Sequence, residues 1–492
     1  MAKSFYGDES PIAALATAPG ESALALIRCS GPGCIELLSR VFSRAAKLRA
    51  AGGNRIVHGW ILAPPRSSGE EALPVDEVLV SVYRAPRSYT GEEGADISCH
   101  GGSAVVRAVL ESLRAAGFRD SLPGEFSFRA FMNGKLDLTR SESVMELVGA
   151  KTDEARGRAL SRLSGRLQGE IAAVKEQLME ILAETELYLD YDETELLLPG
   201  EALPAGEEVL PGRKRAEAVL ERLRNLAAAW GRERLYQEGA LAVIAGRPNA
   251  GKSSLFNALL GEDRSIVAEI PGTTRDWIEA VISLGGIPLR IADTAGLRES
   301  GGTNPAAGDR VELIGIQKSR ELLDRADLTL YLIDGARGPD AADLAFLRGR
   351  AGGVPLILLW NKADIAEPPA YWAGSAEGGL PPPLPLSAKT GRGLAELREA
   401  IAGTLARGAG DPERRAAEDS GGAALGSIRQ KKLVDRACAA LEEALDSADR
   451  GEAPELIAPS LRDALNALGE MTGEVSTADI LEEIFSKFCV GK

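Results

Sequence analysis

Gly246-Arg247-Pro248-Asn249-Ala250-Gly251-Lys252-Ser253 fits the pattern GxxxxGK[ST] without exception. It follows an apolar stretch at 241–245 and opens a helical pattern. A phosphate-binding loop must stand at such a junction, because backbone N–H groups and the positive end of the helix then face the anion. Lys252 offers a point charge to β- and γ-phosphates, and Ser253 a hydroxyl to Mg²⁺. Outward from this loop, a strand–loop–helix alternation runs from 241 to about 406, with further apolar strands at 289–292, 328–333 and 354–360. Near-continuous apolar strands between helices predict a parallel sheet covered on both faces.

Four more segments follow in the order a guanine-nucleotide site requires. Gly272-Thr273-Thr274 lies between the loop and the next buried strand, and Thr274 is the candidate second hydroxyl on Mg²⁺. Asp293-Thr294-Ala295-Gly296 ends that strand, with Asp293 placed to hold the metal through its water shell and Gly296 admitting close backbone approach to the γ-phosphate. Asn361-Lys362-Ala363-Asp364 selects the base: Asp364 can accept from guanine N1–H and the 2-amino group, and adenine offers neither there. Ser387-Ala388-Lys389 follows the next strand, where a backbone N–H can meet guanine O6. The ligand expected is GTP. After Gly296 stands Leu297, not a glutamine able to orient water, so water positioning and charge neutralisation must come from elsewhere. Asn249 is a candidate for holding a monovalent cation, and Glu312 is either the water-orienting group or a solvated helix charge.

Beyond this unit the 492 residues predict a multidomain chain, 45% hydrophobic and 26% charged. A net charge of −15 argues against a pervasively basic nucleic-acid grip, though not against RNA presented jointly with a basic partner. Cys29, Cys34, Cys99, Cys438 and Cys489 show neither metal spacing nor an even set, which suits a reducing compartment. The N-terminus has no apolar signal core and no run of 18 apolar residues occurs, so a cytoplasmic protein without a membrane span is expected. Residues 12–118 read as a small α+β domain with strands at 23–28 and 75–83. From about Gly124 the pattern is helical: Leu160, Leu163, Leu167, Ile171, Val174, Leu178 and Ile181 mark one buried face. Helical periodicity resumes after a polar linker at 407–424, and Ser476 is the expected cap of the last helix. Helical sequence on both sides of the α/β unit predicts a nucleotide-binding domain inserted into a helical one.

Several further motifs resemble the MnmE (TrmE) family of tRNA modification GTPases. They are Ile12-Ala13-Ala14-Leu15-Ala16-Thr17-Ala18-Pro19-Gly20, Ser88-Tyr89-Thr90-Gly91-Glu92, His100-Gly101-Gly102, Pro123-Gly124-Glu125-Phe126, the run 129–138, and the terminal Phe488-Cys489-Val490-Gly491-Lys492. The resemblance spans almost the whole chain. It implies an α+β tetrahydrofolate-binding-like and dimerising domain at 1–122, a discontinuous helical domain at 123–238 and 407–492, and an inserted P-loop GTPase domain at 239–406. It implies a homodimer that forms a heterotetramer or larger complex with the flavin-dependent partner MnmG (GidA). The pair then installs an aminomethyl or carboxymethylaminomethyl group at C5 of the wobble uridine, position 34, of certain tRNAs. Potassium-dependent association of two GTPase domains would stimulate hydrolysis, and a 5-formyl or 5,10-methylene tetrahydrofolate would be the one-carbon donor.

By the same resemblance, Arg28, Lys135 and Lys492 match the folate contacts, with Asp96 where a glutamate is usual. Glu312 matches the water-orienting glutamate, behind a connection at 298–309 that is longer than usual. Asn249, Ala268, Ile270 and Thr273 match the K⁺ ligands, and Ser253 and Thr274 those of Mg²⁺. The expected GTP contacts are Asn249, Ala250, Gly251, Lys252, Ser253, Ser254, Ala268, Thr273, Thr274, Asp293, Thr294, Ala295, Gly296, Asn361, Lys362, Asp364, Ser387, Ala388 and Lys389. Lys252, Asn249 and Glu312 are the catalytic candidates. Cys489 is either a nucleophile toward the uridine or a packing thiol behind Phe485 and Phe488, and His100 is likewise either a reactive group or part of a turn over the folate site. Two other classes remain open on sequence alone. One is a GTP-switched ribosome-assembly or RNA-binding factor; the other is a folate-binding scaffold with a vestigial GTPase.

Overall fold

The computed structural model describes residues 8–63, 72–190, 210, 212–262, 278–293, 321–349, 353–369, 381–408 and 423–492. The chain divides into two compact units, one of Met1–Met145, Ile171–Pro211 and Asp446–Lys492, the other of Glu146–Glu170 and Gly212–Leu445.

The first unit is built on a sheet of β1 (Ile12–Leu15), β2 (Ser22–Ser30), β3 (Arg55–Leu62), β4 (Pro74–Tyr83), β5 (Gly94–Gly101) and β6 (Arg119–Asp120), in the order β3-β4-β5-β2-β1-β6. All pairs are antiparallel except β1 with β6. Period-two alternation decides which face is buried: in β4, Val78, Val80 and Val82 point inward, while Glu77 and Leu79 are exposed. Helices α1 (Cys34–Ser39), α2 (Ala45–Ala50) and α3 (Ser103–Ala116) cover the buried face with Ile35, Leu38, Leu48, Val109 and Leu113. The other face holds Arg28 directly opposite Asp96 in the β2–β5 register.

Pro123-Gly124-Glu125-Phe126 becomes the entry to α4 (Glu125–Met132). Gly124 has φ 67°, and a Cβ there would lie 2.3 Å from the Phe485 carbonyl, so only glycine admits the C-terminal helix Ala478–Phe485. Phe485 is fully buried, its ring edge-on to Phe128 at 5.5 Å; truncating such a side chain costs roughly 3–5 kcal/mol. Thr477, not Ser476, caps this helix, accepting from the Ile480 N–H at 3.4 Å. The helix begins one residue later than the Ser-x-x-Asp spacing suggests.

A second correction concerns the run 160–181. Helix α5 (Leu138–Gly149) is followed by α6 (Asp153–Leu163) and α7 (Arg166–Asp190), and Gly165, at φ 93°, separates the last two. Left-handed glycine ends a helix, so the apolar register does not continue across it. Leu167, Ile171, Val174, Leu178 and Ile181 are fully buried in α7, whereas Leu160 is 49% exposed. The buried face of α6 is instead Ala155, Ala159 and Arg162.

In the second unit β7 (Ala240–Gly246), β8 (Ile278–Leu284), β9 (Ile287–Asp293), β10 (Leu328–Asp334), β11 (Leu356–Asn361) and β12 (Leu384–Pro385) form a sheet in the order β12-β11-β10-β7-β9-β8. The expected parallel pairing holds for all but β8, which runs antiparallel to β9. Gly285 and Gly286, at φ 56° and 81°, make the two-residue turn that forces that reversal. One face packs on Leu255 and Leu259 of α9 (Lys252–Glu262) and on Leu397 and Ile401 of the helix Leu394–Gly408. The other packs on Leu322, Leu323 and Leu347. Helices on both faces of a mostly parallel sheet make this an α/β fold whose ligand crevice lies at the carboxyl ends of the strands. In the same unit, Arg162 is 2% exposed and bridges Glu146 at 2.7 Å and Glu233 of α8 (Arg213–Glu238) at 3.1 Å. A buried guanidinium is tolerated only with such partners.

Candidate functional site

At the carboxyl end of β7 the loop turns sharply. Gly246 has φ 144° with a virtual Cβ 2.5 Å from the Leu332 carbonyl, Asn249 has φ 66°, and Gly251 has φ 99°. Lys252, 8% exposed, folds its ammonium over the loop and donates to the carbonyls of Gly246 at 3.0 Å and Arg247 at 2.9 Å. The Ser253 hydroxyl donates to Asp293 at 2.8 Å, where β9 ends beside α9. A hydroxyl and a carboxylate at that separation supply the hard oxygen donors a Mg²⁺–phosphate site needs. Asp293 is 2% exposed.

Asn361 has a role that its motif does not announce. Its side-chain N–H donates to the Ala250 carbonyl at 2.7 Å, and its Oδ1 accepts from the Ala388 N–H at 3.0 Å. One amide, 3% exposed, therefore ties the phosphate loop to the Ser387-Ala388-Lys389 loop. Gly251 makes room for it, since a Cβ there would stand 2.2 Å from Asn361 Nδ2. Lys362, at φ 64°, reaches back to the Asn249 carbonyl at 3.3 Å and pairs with Asp334 at 2.7 Å. Asp364 is exposed, free to meet a base edge, and the hydrogen bond from the Ser387 side chain holds its carboxyl below the usual carboxylate value, helped by the charges of Lys389 and Arg392. Ser254 and Ala250 lie on the same loop-to-helix junction, with Ala250 buried. Ala268, Ile270, Thr273, Thr274, Thr294, Ala295, Gly296, Leu297, the connection 298–309 and Glu312 fall outside the described residues.

The first unit contains a cavity of about 350 Å³ on the open face of its sheet, and Arg28, Asp96 and Lys135 all line it. Arg28 Nε donates to Asp96 Oδ1 at 3.1 Å, and its guanidinium lies 5.4 Å from the centre of the Tyr89 ring, an approach that favours a cation over the π-face. Tyr89 is pinned by a 2.8 Å hydrogen bond between its hydroxyl and Ser127. Lys135 reaches the Pro86 carbonyl at 3.1 Å, leaving a cation at the rim.

The chain end arrives at the same place. Gly491, φ 90°, passes so close to β1 that a Cβ would lie 2.7 Å from the Leu15 carbonyl. The next residue, Lys492, feels Arg28, Cys489 and Asp96; burial and the Arg28 charge push its ammonium below the usual lysine value. The four folate candidates, which span 28 to 492 in sequence, thus converge. Cys489 is exposed, which contradicts the packing reading, and its carbonyl accepts from the Gly124 N–H at 3.3 Å. His100 does not lie over the cavity. It ends β5, where its ring and backbone N–H engage Asp76 at 2.7 and 2.8 Å.

Beneath the cavity, buried Glu125 accepts from Arg129 at 2.9 Å and from the Leu122 N–H at 2.9 Å, and pairs with Arg119. Burial raises its pKa, but these hydrogen bonds outweigh burial and leave the carboxyl below its ordinary value. Arg129 also meets Glu92 at 3.2 Å, and Glu92 accepts from Ser30 at 2.9 Å, so the motif acids and bases brace the pocket wall at Ser30 and Thr90. No sequence motif singles out Tyr83, Arg87 or Asn54 of the lining, nor Asp334. The strand alternation that puts Tyr83 on the face of Ser81 was the signal available for one of them.

Comparison with known proteins agrees across the chain. The MnmE helical domain family matches residues 138–489, and the family described as GTP-binding protein TrmE N-terminus matches 11–135. A tRNA modification GTPase MnmE from Treponema denticola is 40% identical over 496 residues, covering 99% of each chain. Its counterpart in Carboxydothermus hydrogenoformans is 39% identical over 489 residues, covering 98% of this chain and 100% of that one.

Proposed function

The chain belongs to the MnmE family of tRNA modification GTPases, and from that premise we propose how its two sites serve one reaction. GTP is hydrolysed to GDP and phosphate at the loop 246–253, where Ser253 and Thr274 would hold Mg²⁺, which would neutralise charge on the phosphates. Turnover drives addition of an aminomethyl or carboxymethylaminomethyl group to C5 of the wobble uridine. The cavity would bind the folate, which supplies the one-carbon unit when bound: Asp96, held by Arg28, would accept from its ring N–H groups, while the rim cation Lys135 would meet its negative tail and Lys492 would supply further positive charge. A flavoprotein of the MnmG type supplies the redox step, and two copies of this chain work together in the cytoplasm. The functional division follows 1–122, 123–238 with 407–492, and 239–406. Full-length kinship displaces the ribosome-assembly reading.

The observation that carries this reading is the convergence of Arg28, Asp96 and Lys135 on one cavity, with Lys492 within their electrostatic reach. A carboxylate flanked by three cations suits a ligand with N–H donors at one end and carboxylates at the other. Mass spectrometry of wobble uridines from a deletion strain tests it. Loss of the C5 substituent is expected; an unchanged profile, with redundant enzymes removed, would overturn it.

In the nucleotide site, Asn249, Thr273 and the backbone of Ala268 and Ile270 would hold K⁺, supplying the positive charge that an arginine finger otherwise provides, and Glu312 would orient water. Equal GTP turnover in K⁺ and Na⁺ would remove the cation from the mechanism.

A further inference from the structure

Asp96 is held from two sides, and the second holder is a residue with no assigned role. On β2, Arg28 is its direct register partner. On β4 the direct partner is Ser81, and Tyr83 lies two residues further along, on the same face and opposite Gly94. Diagonal neighbours in an antiparallel pair are within reach of an aromatic side chain. Tyr83 spans that diagonal: its hydroxyl donates to Asp96 Oδ2 at 3.5 Å, while Arg28 Nε takes Oδ1 at 3.1 Å. Gly94 has no side chain to keep the ring off the path from its own position to Asp96. Both residues line the cavity.

An aspartate carboxylate sits close to its strand, and the two protein donors fill one lone-pair direction on each oxygen. One acceptor direction per oxygen is left for a ligand, and a matched pair of N–H donors, such as the ring N–H and exocyclic amine of a reduced folate, would fill them. We propose that Tyr83 is a positioning residue of the folate pocket: its hydroxyl fixes the rotation of the Asp96 carboxylate, so that both remaining acceptor sites face the ligand. This inference rests on the folate reading of the cavity. The environment of Tyr83 agrees with it, because burial, then the charge of Asp96, raise the phenol above its ordinary value.

Lengthening the acid separates positioning from simple wall contact. In Asp96→Glu the carboxylate sits about 1.5 Å further from its strand and no longer keeps its present geometry to the Tyr83 hydroxyl. With the full-length protein titrated by 5-formyltetrahydrofolate, Tyr83→Phe should weaken binding about three- to fivefold, below the scale of a full hydrogen bond to a charged group because the contact is long at 3.5 Å, and leave guanine nucleotide affinity unchanged. In the Asp96→Glu background the same change should move affinity less than about twofold. Equal losses in both backgrounds, or no loss in the Asp96 chain, would overturn the proposal. A ligand-free arm follows the tyrosine titration by ultraviolet absorbance, with the Tyr83 step identified by difference from Tyr83→Phe. Asp96→Asn should lower that step. If the step responds but the wild-type chain takes up no folate, the contact stands and the folate reading falls; if it does not respond, the Tyr83–Asp96 contact itself is refuted.

Discussion

Replacing Asn361 by alanine should cripple nucleotide binding although Asn361 need not touch the nucleotide. Its amide makes two hydrogen bonds, 2.7 Å to the Ala250 carbonyl and 3.0 Å from the Ala388 N–H. Each bond is worth about 1 kcal/mol net, and each buried partner left unsatisfied costs about 1–3 kcal/mol. Water entering the gap recovers part of that, so about 3 kcal/mol is the expected penalty on the arrangement that binds GTP. That corresponds to roughly a hundredfold weaker nucleotide affinity. Fluorescence titration with an N-methylanthraniloyl GDP measures it directly. Asn361→Asp provides the harder test, since it keeps an acceptor for Ala388 but turns a carboxylate oxygen toward the Ala250 carbonyl; it should be at least as impaired. If Asn361→Ala binds within threefold of wild type, the two loops are held by something other than this amide.

Three further outcomes follow from the same geometry. Ser387→Ala removes the leading cause of the lowered Asp364 pKa, so the carboxyl should titrate closer to its ordinary 3.8. In the intact chain Asp364 stays charged until the pH falls below 3.8, and carbon-detected NMR of the carboxyl reads both. Glu125→Gln leaves Arg129, whose side chain is 7% exposed, short of a buried counter-charge, and should cost about 3–5 kcal/mol in urea denaturation. With a folded pKa below 4.5, the stabilisation from Glu125 is complete above 4.5 and disappears as the pH falls through the folded value, so wild type and variant should converge in acid. Gly491→Ala forces a side chain against the Leu15 carbonyl at 2.7 Å in a left-handed conformation, a strain of about 1–2 kcal/mol before the overlap is counted. It should displace Lys492, lower 5-formyltetrahydrofolate affinity about tenfold by the same hydrogen-bond scale, and leave guanine nucleotide binding unchanged in parallel titrations.

The nucleotide site was legible because its parts are local. Each motif sits at a strand end, and a parallel sheet brings strand ends together whatever the loops contain. Burial on both faces wrote β7 into the sequence as an unbroken apolar run, and β10 as one interrupted only by Thr329 before its final Asp334. The edge strand β8 was missed because Glu279 and Ser283 cut its apolar residues into shorter pieces. What the motif could not disclose is the division of labour within Asn361-Lys362-Ala363-Asp364. Its first residue is consumed by holding two loops, and its last is left exposed for the base.

The folate pocket follows the opposite logic. Arg28, Asp96, Lys135 and Lys492 carry no shared periodicity, and family resemblance alone grouped them. Their meeting depends on tertiary events: an antiparallel register that sets residue 28 against 96, and a terminal helix whose Phe485 locks under Gly124. The same lock explains why the chain end is useful. A terminus normally frays, and a lysine there would have no fixed place. Here Phe485 and Phe488 are buried, Gly124 donates to the Cys489 carbonyl, and Gly491 threads past Leu15. Two glycine- or backbone-limited contacts therefore hold the last four residues, so Lys492 comes within electrostatic reach of Arg28 and Asp96 with most of its ordering entropy already spent by the packing of Phe485 and Phe488.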